Sequence, residues 1–74
     1  MLKLVPAFMG EGDVSKWFEK LETICKLNGV LDKEDILYVV MLRLAGEAYR
    51  VFQQMTPEDR LVVTPVMELL REAY

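Results

Sequence analysis

Residues 13–29 have the sequence DVSKWFEKLETICKLNG, and this stretch decides the fold prediction. It opens on Asp13, whose carboxylate can accept the unpaired backbone N–H groups of a first helical turn. It closes on Asn28-Gly29, a pair typical of helix ends. The stretch therefore predicts an amphipathic helix from about Asp13 to Asn28. Its side chains at helical spacing share one apolar face; they are Val14, Trp17, Phe18, Leu21, Ile24 and Cys25, with Asn28 at the end.

A second helix is predicted from Asp32 to about residue 44 or 45. Asp32 is a suitable N-cap. Residues 36–42 are seven consecutive apolar residues, which is typical of a helix that is buried on all sides. Val39 and Val40 favour a buried strand as the alternative for such a run. The flanking caps favour the helix.

Further helix signals follow Gly46, which is expected to break or bend the chain. Residues 47–55 predict a third helix. Thr56-Pro57-Glu58-Asp59 predicts either a helix start or only a turn, and Thr64-Pro65 predicts the start of a last helix that runs to residue 74. The chain is therefore predicted to be all-α, with a small bundle of four to five short helices in residues 13–74.

Residues 1–12 predict an extended N-terminal arm. Pro6 biases the residue before it away from helical angles, and Gly10 and Gly12 permit a turn. The arm is too apolar for a solvated tail. We therefore expect residues 2–8 to pack on this domain or on a neighbouring copy, with Leu2, Leu4 and Pro6 in the contact.

Composition excludes several classes of function. The 74 residues carry a net charge of −3 and no run of Lys or Arg, which argues against direct nucleic-acid binding. There is no His and only one Cys, so neither a tetrahedral zinc site nor an internal disulfide is expected. No apolar stretch approaches the roughly 20 residues that a membrane span needs. These features predict a cytoplasmic protein without metal or cofactor.

Candidate site residues are expected to have structural roles. Cys25 lies on the apolar face of the first helix, and without any His the usual base for a cysteine nucleophile is missing. Helix capping explains the carboxylates near Asp13 and Asp32. We therefore expect no enzyme. Eight side chains are expected to form the core or to line a groove: Phe8, Trp17, Phe18, Leu21, Tyr38, Leu42, Tyr49 and Phe52, with Tyr49 in the core.

Three stretches resemble one known family in the expected order. They are FMGEGDVSKWF (residues 8–18), LRLAGEAY (residues 42–49) and the ending MELLREAY (residues 67–74). Together they are similar to the capsid N-terminal domain in Gag of Ty3/gypsy-type retrotransposons. The resemblance covers nearly the whole chain and implies a non-enzymatic structural protein that self-associates. It also implies a C-terminal capsid lobe after this one, assembly of both lobes into virus-like particles, and homo-oligomeric contacts through short helices.

Two other interpretations stay open at this point. Arc-like domesticated Gag proteins resemble the same stretches, and that resemblance implies binding of extended apolar peptides in a groove. We expect such a groove at Trp17, Phe18, Leu21 and Tyr38, where the N-terminal arm could occupy it. The third interpretation is an unrelated helical protein–protein interaction module.

Overall fold

The structure is a computed structural model, and it describes residues 5–74. This part of the chain contains four helices. They are α1 (Val14–Leu27), α2 (Lys33–Arg43), α3 (Gly46–Gln53) and α4 (Val63–Ala73), with a short 3₁₀ turn at Asp59–Leu61 before α4. Within residues 5–74 the only β-type pairing is one isolated bridge. The all-α prediction is confirmed.

Helix α1 has the ends that its sequence predicts. The Asp13 carboxylate accepts hydrogen bonds from the backbone N–H groups of Ser15 and Lys16, at 2.9 and 3.3 Å. At the other end Gly29 N–H donates to the Lys26 carbonyl, and the next N–H donates to the Cys25 carbonyl. This pair of bonds is the Schellman arrangement, which ends a helix by satisfying its last carbonyl groups. All six apolar side chains of the predicted face are buried.

Helix α2 is only partly buried, so the prediction of burial on all sides is wrong. Leu37, Val39 and Val40 are buried. Tyr38 is 49% exposed and Leu42 is 78% exposed. The physical reason is that α2 contacts α1 and α4 on one side, and a 74-residue chain has too little mass to surround a helix completely.

The chain from Thr56 to α4 departs from the predicted boundaries. The Thr56 hydroxyl accepts the Asp59 N–H at 3.3 Å, but the result is the 3₁₀ turn and not a helix. Helix α4 begins at Val63, two residues before the predicted start, and Val62 provides no side-chain cap. Pro65 thus lies in the first turn, where its missing N–H costs no intrahelical hydrogen bond.

Helix α4 holds the bundle together. It contacts α1, α2, α3 and the 3₁₀ turn, and it buries Val66, Met67 and Leu70. A side-chain hydrogen bond of 3.1 Å from Arg71 Nε to Ser15 Oγ links it to the start of α1. The core therefore lies along α4, between α1 and α3.

Two described side chains of the N-terminal arm pack on the same domain. Val5 and Phe8 are buried, and Phe8 forms a parallel bridge with Leu44 at the junction of α2 and α3. Phe8 N–H donates to the Arg43 carbonyl at 2.8 Å, and Ala45 N–H donates to the Phe8 carbonyl at 3.0 Å. Of the predicted arm, the side chains of Val5 and Phe8 thus pack on this domain.

The other predicted arm residues have different outcomes. Pro6 is exposed, and it takes part through its carbonyl, which accepts the indole N–H of Trp17 at 2.7 Å. Leu2 and Leu4 lie outside the described residues.

Gly10 gives a first test of how the arm is held. Its φ of +105° is a conformation that residues with a side chain rarely adopt, and a Cβ there would lie 3.0 Å from Cε1 of Tyr74. We expect Gly10→Ala to lower the free energy of unfolding by about 1–3 kcal/mol from backbone strain, and by a further amount because the Tyr74 ring must move. Urea denaturation followed by circular dichroism measures this.

Gly12→Ala is the matched control, because Gly12 has a φ of +90° and, apart from its chain neighbours, no atom of residues 5–74 lies within 4 Å of the added Cβ. Gly12→Ala should lower the free energy of unfolding by the backbone strain alone. The additional loss at Gly10 should disappear when Tyr74 is also replaced with Ala. Equal losses for the two single variants would contradict a Tyr74 contact.

Candidate protein-interaction groove

A concavity of about 560 Å³ lies between α2, α3 and the 3₁₀ turn. We call it the α2–α3 groove. Helix α2 supplies one wall, helix α3 another, and the turn before α4 closes the third side. The lining residues are Glu34, Leu37, Tyr38, Met41, Tyr49, Phe52, Pro57, Arg60 and Leu61.

The α2–α3 groove combines a buried apolar floor with exposed apolar side chains at its rim. Leu37 and Phe52 are core residues, so the floor is rigidly held. Tyr38 and Tyr49 (40% exposed) and Leu61 (73% exposed) stand at the rim. Apolar side chains that remain accessible around a concavity are characteristic of surfaces that bind another macromolecule.

Two charged side chains flank this apolar surface. Glu34 accepts a hydrogen bond of 3.0 Å from the Tyr38 hydroxyl. Arg60 comes from the 3₁₀ turn. Within residues 5–74 neither Glu34 nor Arg60 forms an ion pair. With respect to residues 5–74, the groove thus offers one unpaired negative and one unpaired positive charge.

The Glu34 contact alters the acidity of Tyr38. Its hydrogen bond to the Glu34 carboxylate, and then the negative charge of Glu34, raise the pKa of Tyr38 above 10.0, with smaller contributions from desolvation and from Asp35. Both effects of Glu34 favour the neutral phenol. The Tyr38 hydroxyl therefore stays protonated at neutral pH, and its one hydrogen is donated to Glu34.

Replacing Glu34 with Gln should lower the pKa of Tyr38 towards 10.0. The substitution removes the negative charge and weakens the hydrogen bond to the neutral phenol. A pH titration of the Tyr38 ring carbon by NMR measures the change. Asp35→Asn is the control, and it should shift the pKa less because Asp35 contributes least. An unchanged pKa in Glu34→Gln would contradict the contact.

The structure divides the eight predicted core or groove residues into three groups. Phe8, Trp17, Phe18 and Leu21 are core residues, as is Phe52, which also forms part of the groove floor. Tyr38 and Tyr49 line the groove at its rim, so the prediction that Tyr49 is a core residue is wrong. Leu42 belongs to neither set, because it is exposed and does not line the groove.

The predicted location of the groove is also wrong. Trp17, Phe18 and Leu21 are buried in the core, and of that predicted set only Tyr38 lines the α2–α3 groove. The Trp17 ring faces the arm, 5.4 Å from the Phe8 ring, and Phe18 lines a separate cavity of about 210 Å³ with residues of α2 and α4. None of residues 5–12 lines the α2–α3 groove, so this part of the arm does not occupy it.

Sequence reasoning missed the contribution of the 3₁₀ turn. Pro57, Arg60 and Leu61 line the groove, although their segment was expected to give only a helix start or a turn. One signal was present. Leu61-Val62-Val63 is an apolar run directly after a turn, and it is too apolar for a purely solvated connection.

The cysteine of this chain lies away from the α2–α3 groove. Cys25 is buried as predicted, and burial, followed by the charge of Glu22, raises the pKa of its thiol. In residues 5–74 no group of three or more His, Cys, Asp or Glu side chains could hold a metal ion. The same residues contain no helix long and apolar enough to cross a membrane.

Comparisons with protein-family models, with curated proteins and with solved structures find no match to this chain. The proposed function therefore rests on the fold, the groove and the sequence stretches described above.

Proposed function

We propose that this domain is a structural self-association module, the N-terminal lobe of a retrotransposon-type Gag capsid, and that it has no catalytic role. One observation carries the proposal. Large apolar side chains that line the α2–α3 groove remain exposed, at Tyr38, Tyr49 and Leu61. A surface of this kind in a small domain favours contact with another protein surface.

The packing of two of the stretches that resemble the Gag capsid domain also supports this proposal. Residues 8–18 and 42–49 are far apart in sequence but touch through the bridge between Phe8 and Leu44. The Phe8 ring also lies 5.4 Å from the Trp17 ring. The stretches therefore contribute to one packing unit, as expected if they belong to a common domain type.

The proposed role needs only weak contacts between single domains. The α2–α3 groove has nine lining residues, whereas a standard protein–protein interface uses about 20–30 residues per partner. Many weak contacts become effective when they act together. In a capsid the following C-terminal lobe would hold many copies close to one another, and the net charge of −3 leaves RNA binding to other parts of the protein.

Sedimentation equilibrium of the 74-residue chain over a concentration series tests self-association. We expect a dissociation constant of roughly 0.1–1 mM, as suits a small interface. Leu61→Glu should weaken association by about ten-fold, because it places a charge on the exposed apolar rim.

Leu27→Glu is the matched control, since Leu27 is 81% exposed on α1 and does not line the groove. It should leave association unchanged. A chain that remains monomeric at several millimolar would contradict the proposed function.

A second candidate function is favoured by one observation. Residues 5–12 of the arm leave the α2–α3 groove open, which would also suit an Arc-like module that binds extended apolar peptides. NMR titration with short apolar peptides tests this candidate. Saturable shifts at Tyr38 and Tyr49 would support it, and unchanged spectra at millimolar peptide would contradict it.

A further inference from the structure

We infer that the α2–α3 groove is a two-fold self-contact, in which Glu34 of each copy pairs with Arg60 of the other. The inference rests on the proposed function, because it names the surface and the symmetry through which the domain self-associates. The occupant of the groove is then a second copy of this chain.

The charges of the groove favour a second copy as the occupant. The groove carries one carboxylate, on Glu34, and one guanidinium, on Arg60. Neither forms an ion pair within residues 5–74. A two-fold contact places residue i against residue j of the partner, and j against i. Two such pairs would satisfy all four charges of a dimer at once.

The polar groups beside these charges are compatible with the same contact. The other lining side chains with a polar group are Tyr38 and Tyr49, and neither counts toward the formal net charge. The groove therefore carries equal numbers of positive and negative charges. A strongly basic or strongly acidic partner would leave one of them opposed to a like charge, which disfavours binding.

The apolar part of the groove is suited to the same arrangement. Leu61 and Tyr38 are exposed on elements that border a buried floor of Leu37 and Phe52. In a two-fold contact the rim side chains of each copy can pack against the groove of the other. Removing them from water supplies the attraction, and the two ion pairs set the orientation.

Charge reversal tests the pairing directly. Glu34→Arg alone, or Arg60→Glu alone, creates two like-charge contacts in a homodimer. We expect each variant to associate at least about ten-fold more weakly than the unmodified chain. A 1:1 mixture of the two variants can form a heterodimer. One of its pairs keeps the original Glu34–Arg60 contact, the other has the two charges exchanged, and both pairs are attractive. The mixture should therefore form a heterodimer with nearly the affinity of the unmodified homodimer.

The control variants are Glu19→Arg and Lys20→Glu, which change the net charge by the same amounts. Both residues are exposed on α1 and neither lines the groove. Alone or mixed, the controls should associate as the unmodified chain does. Sedimentation equilibrium gives each affinity, and circular dichroism confirms that each variant is folded.

The outcomes separate this inference from the proposed function. If the unmodified chain associates but the single reversals do so equally well, the groove is not the interface, although self-association stands. If the reversals weaken association but their mixture does not restore it, the two-fold pairing is wrong. If the unmodified chain stays monomeric while apolar peptides shift the NMR signals of Tyr38 and Tyr49, the occupant is a peptide and both proposals fail.

Discussion

Replacing Trp17 with alanine is expected to destabilise this domain more than any of the other single substitutions proposed. Trp17 is buried, its ring lies 5.4 Å from that of Phe8, and its indole N–H donates to the Pro6 carbonyl at 2.7 Å. Truncating a buried aromatic side chain costs about 3–5 kcal/mol. The whole stability of a chain of this length is roughly 4–11 kcal/mol. The loss therefore removes a large share of the stability.

Far-UV circular dichroism with thermal melting measures the effect of Trp17→Ala. We expect a reduced helical signal at 25 °C and a melting transition lowered by more than about 10 °C. Trp17→Phe is the matched control, because it keeps an aromatic ring in the core and removes the hydrogen bond to Pro6. Its loss should be smaller, about 1–2 kcal/mol. A Trp17→Ala melt within a few degrees of the unmodified chain would show that Trp17 is not a core residue.

Replacing Phe8 with alanine should have the second largest effect, because Phe8 anchors the arm. Its ring contacts Trp17 and also lies 5.4 Å from Tyr74 in an edge-on arrangement. The side chain is buried, so truncation should cost about 3–5 kcal/mol. The measurements are urea denaturation and hydrogen exchange at the Ala45 amide, which donates to the Phe8 carbonyl.

The expected result for Phe8→Ala is a lower urea midpoint together with faster exchange at Ala45, because the arm detaches more often. Met9→Ala is the control, since Met9 is adjacent in the arm but exposed. It should change the urea midpoint little. If Phe8→Ala left the exchange at Ala45 unchanged, the arm would be held by contacts other than the Phe8 ring.

The two aromatic substitutions are not expected to be additive. Phe8 and Trp17 contact each other, so removing either ring already removes their shared contact. The double variant should therefore lose less stability than the two single losses together. A double-mutant cycle in urea would give the coupling energy, which is typically about 0.5–1.5 kcal/mol for an aromatic pair.

The helices could be predicted from sequence wherever their signals are local. The α1 helix follows from Asp13, Gly29 and the spacing of its apolar residues, since a cap and a periodic face depend on neighbouring residues only. The start of α2 at Asp32 is local for the same reason. The observed ends lie within one residue of those predicted for α1 and within two for α2.

The start of α4 shows where local signals compete. Thr64-Pro65 is a suitable cap and first residue, yet the helix begins at Val63. A proline within the first turn is compatible with either start. Burial of Val66, Met67 and Leu70 against the other helices depends on packing across the bundle, which local signals do not report.

The sequence alone determined that this chain is helical and that α1 buries an aromatic face, and it predicted that apolar side chains of the arm pack on a protein surface. Each conclusion follows from spacing, capping or composition. Only the tertiary structure decided that Phe8 of the arm packs in cis at the α2–α3 junction, that Leu42 and Tyr38 remain exposed, and that the 3₁₀ turn completes the groove. Burial and concavity depend on which elements meet in space. Residues 36–42 are uniformly apolar, so their periodicity cannot indicate which side faces the core.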